Sequence, residues 1–148
     1  MHIMNAKTSA ITFHVLRLRP GQDLKGELDA YATAHRLQAA CVLTCVGSLR
    51  RAALRFADRE RAVILNDKFE IVSLTGVMSA YGSHYHIAIA DGEGRTLGAH
   101  LMEGCQVYTT AEITLAELAD MYFLRTLDAE TGYEELDIQE NHNWPLDS

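Results

Sequence analysis

The 148 residues are 48% apolar and 22% charged, an ordinary balance for a globular chain with one sizeable core. No apolar run reaches the roughly 18–20 residues that span a bilayer, and a net charge of −7 gives no overall field toward nucleic-acid phosphates. The acidity is local, since residues 128–148 hold seven of the 20 Asp and Glu and no Lys or Arg.

The first seven residues contain no apolar core of signal-peptide length. They are expected to be peripheral, as are residues 139–148, around a single domain with its core over 8–138. Residues 8–17 are β-branched and partly alternating, which predicts a first strand. Arg19-Pro20-Gly21 breaks it. Asp23 is a helix N-cap, and Leu24, Leu28, Tyr31 and Ala32 form one face of a helix running to about Leu37. His35 falls near the helix C-terminus, where positive charge is favoured.

From Ala39 the chain is continuously apolar, as in a strand buried on both faces, until Gly47-Ser48 marks a bulge or a close backbone approach. Cys41 and Cys45 lie four apart on this strand, too far to bridge. With three cysteines in all, free thiols in a reducing cytoplasm are expected. Arg50, Arg51, Arg55, Arg59 and Arg61 follow, and on an extended chain Arg51, Arg55 and Arg59 would share a face. Residues 68–78 form another strand, 107–115 a long one, and 116–127 read as either helix or strand, with Tyr122-Phe123-Leu124 favouring strand. Asp128 to Gly132 is a turn.

Residues 82–104 carry the chemistry. They read as a hairpin, with strands at about 83–90 and 96–102, that presents His84, His86 and His100. Residues i and i+2 of a strand share a face, so His84 and His86 look the same way. The position of His100 depends on the turn. A four-residue loop, 91–94, would put it on the wrong face, whereas a three-residue (92–94) or five-residue (91–95) loop would set it across from His86. Gly92 and Gly94 can supply the positive φ that odd-length loops require. Three neutral imidazoles suit Zn²⁺ and leave a fourth position for water or a ligand. Ni²⁺, Cu²⁺ and Fe²⁺ accept the same ligand type. The competing reading makes these histidines ordinary hydrogen-bonded side chains.

The pattern Phe69-Glu70-Ile71 with Gly76, Gly82-Ser83-His84-Tyr85-His86, Gly98-Ala99-His100-Leu101 and Gly104 resembles the plant and prokaryote conserved domain (PPC, also PCC). Gly47-Ser48-Leu49 and Thr109-Thr110-Ala111-Glu112-Ile113 are similar to its prokaryotic members, and the likeness spans about residues 10–138. The resemblance implies an α+β domain with a mostly antiparallel sheet and one long helix after the first strand, packed as a homotrimer. It also implies a metal site at His84, His86 and His100 near a subunit interface. Many relatives are labelled DNA-binding, and plant members carry an AT-hook beside the domain. This chain contains no Arg-Gly-Arg-Pro hook core.

Three functions follow as expectations. The first is a trimeric metal- or ligand-binding module with a regulatory or unassigned role, whose partner is a protein or a small anionic ligand. The second is a DNA-binding or transcription-associated protein, for which the Arg50–Arg61 cluster is the local support. The third is a metal-dependent hydrolase, with Glu112, Glu103 and Thr110 as candidate acid, base or orienting groups, and Arg50 or Arg55 pairing an anionic substrate. No nucleophile motif, phosphate loop or dinucleotide fingerprint is present.

Overall fold

The computed structural model describes residues 9–140. In chain order the elements are β1 (Ile11–Leu18), α1 (Leu24–Ala34), β2 (Ala40–Arg55), β3 (Val63–Leu65), β4 (Phe69–Ser79), β5 (Gly82–Ala90), β6 (Thr96–Leu101), β7 (Gln106–Leu118), β8 (Met121–Leu127) and β9 (Glu134–Glu140). All the strand pairs are antiparallel. The main sheet runs β1-β7-β2-β4-β5-β6, with β3 added to β2, and β8-β9 forms a separate hairpin. Strand β2 is long enough to change neighbours along its length. Its first part lies between β7 and β4, and its last residues pair with β6 through Leu54↔Leu101 and Arg55↔His100. That last pairing closes β2, β4, β5 and β6 into a ring.

One face of the sheet is covered by α1. Leu24, Leu28 and Ala32 recur at helical spacing and are buried against Leu49, Leu74, Ile113 and Leu115. Burial of each such leucine contributes about 2 kcal/mol. Asp23 caps the helix as expected. Its Oδ1 accepts from the Gly26 amide at 2.8 Å, and its Oδ2 accepts from the Gly104 amide at 2.6 Å, so the cap also anchors the turn after β6.

The helix is shorter than the sequence suggests. It ends at Ala34 because Arg36 adopts φ +54°, and the amides of Arg36 and Leu37 fold back onto the carbonyls of Thr33 and Ala32. This is a C-terminal cap of the kind glycine usually makes, which is why an arginine there gave no warning.

Residues 116–127 resolve into the end of β7, a tight turn and strand β8. The turn at 128–132 forms, with the Gly132 amide donating to the Asp128 carbonyl. The acidic segment after it supplies strand β9, and β3 is a further short strand not evident from the sequence. Arg59 does not continue the face of Arg51 and Arg55, because β2 ends at Arg55 and Asp58 turns the chain at φ +55°. Residues 1–8 and 141–148, most of the segments expected to be peripheral, lie outside the described residues. Among the described residues no helix is long and apolar enough to cross a membrane.

Candidate metal centre

Side-chain alternation on β5 aims the histidines. Tyr85, Ile87 and Ile89 are buried on the helix side, so His84 and His86 must point to the opposite face. Tyr85 fixes that parity with a polar tie as well, its hydroxyl donating to Asp29 of α1 at 3.1 Å. On β4, Gly76 lies opposite Tyr85, and a Cβ there would stand 2.1 Å from the His84 carbonyl oxygen. Only a residue without a side chain lets the two strands meet at this point.

The hairpin register answers the question left by the sequence. Ala90 pairs with Thr96, so the loop is the five-residue one, 91–95, and His86 lies directly across from His100. The Asp91 side chain organises the loop. One of its oxygens accepts from the amides of Glu93 and Arg95, and the other pairs with the Arg95 guanidinium. Those amides hold the Asp91 carboxyl below the usual range, the Arg95 amide most strongly. Gly94 takes φ +79°, whereas Gly92 has no positive φ.

The three imidazoles form a compact cluster. Ring centroids are 4.9 Å apart for His84–His86, 5.0 Å for His84–His100 and 5.7 Å for His86–His100. One ring nitrogen from each lies within 4.8 Å of the others. The Nε2 atoms of His84 and His86 approach to 3.2 Å.

An ion bound tetrahedrally at about 2.0–2.1 Å sets its ligand nitrogens about 3.4 Å apart. His84 and His86 meet that spacing already, and the longest separation closes with a modest swing of the rings. The Nδ1 atom of His100 is buried without a hydrogen-bond partner, which is what the competing reading of ordinary hydrogen-bonded histidines does not provide. Burial, then the Arg55 charge and the two neighbouring histidines, push the His100 pKa down to about 4. The His84 pKa is also lowered, chiefly by burial, then by His86 and Arg125, with Glu135 opposing. His84 and His100 therefore carry free lone pairs at neutral pH, the state a metal needs. The residues fit a divalent ion. The buried thiols of Cys45 and Cys105 lie elsewhere, and burial pushes them up to about 12 and about 11.

The other residues singled out from the sequence are dispersed. Arg55 is beside the cluster, as the register partner of His100. Arg50 is exposed and donates to the Gln106 side chain. The Thr110 hydroxyl accepts from Arg17, Glu112 lies opposite both Arg17 and Val46, and Glu103 is exposed in the turn after β6. None of these four joins the histidine cluster.

Sequence reasoning did not find Arg125 of β8, Tyr81, or Tyr133 and Glu135 beyond the β8–β9 turn. With Arg55, Ser83, His84 and His100 they line a cleft of about 420 Å³. Arg125 lay in the stretch of uncertain secondary structure and in no motif, so nothing local marked it.

A family model described as the Plants and Prokaryotes Conserved (PCC) domain matches residues 5–119. Over 132 residues the chain is 48% identical to a protein named Bifunctional protein GlmU from Synechococcus sp. (strain JA-3-3Ab), covering 89% of this chain. The chain spans only about a fifth of the length of that curated relative, 21%. Among solved structures, a hypothetical protein from Salmonella enterica is 40% identical with a TM-score of 0.89, covering 92% of this chain and 99% of that one. A metal-containing protein from Archaeoglobus fulgidus shares the fold at 24% identity, with a TM-score of 0.75 and coverage of 90% and 99%. A candidate DNA-binding protein from Ralstonia eutropha does so at 20% identity, with a TM-score of 0.72 and coverage of 84% and 90%.

Proposed function

The chain belongs to the Plants and Prokaryotes Conserved domain family, and from that premise we propose that it is a trimeric binding module holding one divalent ion at His84, His86 and His100, without catalysis of its own. The carrying observation is the convergence of three imidazoles around one point, with a buried and unpartnered nitrogen on His100. Zn²⁺ is the ion favoured by three neutral nitrogen ligands and an open fourth position. The Archaeoglobus relative described as metal-containing supports the same reading. The ion would supply a Lewis-acidic anchor, and the chain would orient whatever occupies its open position. The acid, base and orienting candidates Glu103, Thr110 and Glu112 lie away from the cluster, which favours binding over catalysis by those residues.

Self-association is supported by the sheet face opposite α1. Ile11, Phe13 and Val15 of β1 are 52%, 63% and 80% exposed, and Val46 of β2 is 58% exposed. A single cross-strand row links this apolar surface to the site, running Phe13, Ala116, Cys41, Val77, His84. The histidines therefore lie at the margin of a face suited to other copies of the chain. The large part of the Synechococcus protein outside the match supports a portable module, added to longer proteins as well.

Direct duplex binding is the weaker reading. It rests on the Ralstonia relative and on Arg59 and Arg61, which alternate with Asp58 and Glu60 in an exposed loop.

Metal analysis of purified protein tests the centre. About one zinc-group ion per chain is expected, with binding at least tenfold weaker in His84→Ala and His100→Ala. Equal metal content in wild type and both variants would sink the site.

A further inference from the structure

The cleft beside the histidines is lined by two guanidiniums and two carboxylates, equal in number but not joined in ion pairs. Arg55 enters it from β2 and Arg125 from β8, and among the described residues neither guanidinium has a carboxylate within ion-pair distance. The one hydrogen bond from Arg55 is a long contact of 3.5 Å to the Arg59 carbonyl. Both arginines line the cleft together with His84 and His100, and Arg55 is the register partner of His100. Neutral imidazoles add no charge of their own. A dication placed on them would therefore add two positive charges to a cleft in which Glu134 and Glu135 only match Arg55 and Arg125. Such a site retains a net positive charge that an anion is needed to neutralise. Its volume of about 420 Å³ is that of a small-molecule pocket.

We propose that this cleft binds a small organic oxyanion, a carboxylate or phosphate ester, between the guanidiniums of Arg55 and Arg125 and the open position of the metal on His84, His86 and His100. The charge excess rests on the metal-centre reading, and the guanidinium half rests on two arginines that line the cleft without an ion pair among the described residues. Arginine forks match carboxylate and phosphate oxygens in a bidentate manner. Tyr81 and Tyr133 line the cleft and are 54% and 70% exposed, which leaves their rings available to the body of the ligand. Glu134 and Glu135 are acceptors at the same cleft, so the ligand carries hydroxyl or amino donors away from its anionic end.

The test uses Co²⁺-loaded protein, whose visible absorption changes when the fourth ligand changes, alongside calorimetry on both the loaded and the metal-free protein. Lactate and glycerol 2-phosphate are the probes, each measured against a neutral counterpart, lactamide and glycerol. At least one anion is expected to perturb the Co²⁺ spectrum and to bind at least tenfold more tightly than its counterpart. The pair of anions distinguishes carboxylate from phosphate. Arg125→Gln, which leaves every histidine in place, is expected to weaken that anion about tenfold with Co²⁺ content and circular dichroism unchanged. Arg125→Lys should recover only part of the loss. Equal binding of anion and neutral counterpart overturns the proposal, as does unaltered anion affinity in both Arg55→Gln and Arg125→Gln. If wild-type protein takes up no Co²⁺, the metal reading fails by itself, and calorimetry on the metal-free protein still decides whether the arginine cleft selects anions.

Discussion

Gly76 shows how little room the site leaves at the residue scale. Its backbone passes so near the His84 carbonyl that a methyl group must push β4 and β5 apart, and φ +153° is itself a conformation that side chains resist. Gly76→Ala is expected to destabilise the fold by about 2–3 kcal/mol, the usual cost of forcing extra atoms into a packed position. Urea denaturation reads this directly, and metal affinity should fall with it because His84 is displaced. An unchanged midpoint would mean that the strands are freer to separate here than their contact implies. The same residue illustrates what could be read in advance. A glycine within the strand that begins Phe69-Glu70-Ile71 was visible, but its opposition to Tyr85 depended on a pairing that only the folded sheet defines. The helix stop at Arg36 was not legible for a related reason, since a left-handed arginine has no compositional signature.

The element that matters most is the β5–β6 hairpin, and here the sequence was informative. Alternation put His84 and His86 on one face, and loop parity reduced the placement of His100 to an odd-or-even choice. The five-residue loop, organised by Asp91 at its start, makes that choice. Shortening the loop by one residue should therefore reverse it. Deleting Gly92, which has open space around it, is expected to lower metal affinity to the level of His100→Ala, since a one-residue slip turns His100 to the other face. Titration with Co²⁺ followed by visible absorption measures the effect. Wild-type affinity in the deletion variant would show that β6 keeps its place through β2 regardless of the loop. The β8–β9 hairpin was the opposite case. Its strands were ambiguous or unrecognised, and so was their contribution of Arg125 and Tyr133 to the cleft, because packing between distant segments leaves no periodic trace in either one.

For the whole molecule, the uncovered sheet face is the feature to explain. Phe13 and Val15 remain in water in a lone chain, whereas His14 and Leu16, which alternate with them, are partly covered on the α1 side. Placing a charge there should prevent association without disturbing the core. The wild-type protein is expected to sediment as a trimer, and Val15→Asp or Phe13→Asp close to the single-chain mass of 16.5 kDa. Circular dichroism should remain the same for all three. A monomeric wild type at micromolar concentration would remove the trimer from the proposal.

The pairing of Arg55 with His100 also has a kinetic meaning. His84, His86 and His100 belong to neighbouring strands and can meet while most of the chain is still open. Arg55 reaches them only after β2 has docked along β6, a contact of much greater sequence separation whose closure comes at a higher entropic cost. Assembly of the three imidazoles is thus a local event in folding, and completion of the cleft is a global one. On the proposed reading, a nascent chain would be able to hold an ion before its cleft is complete.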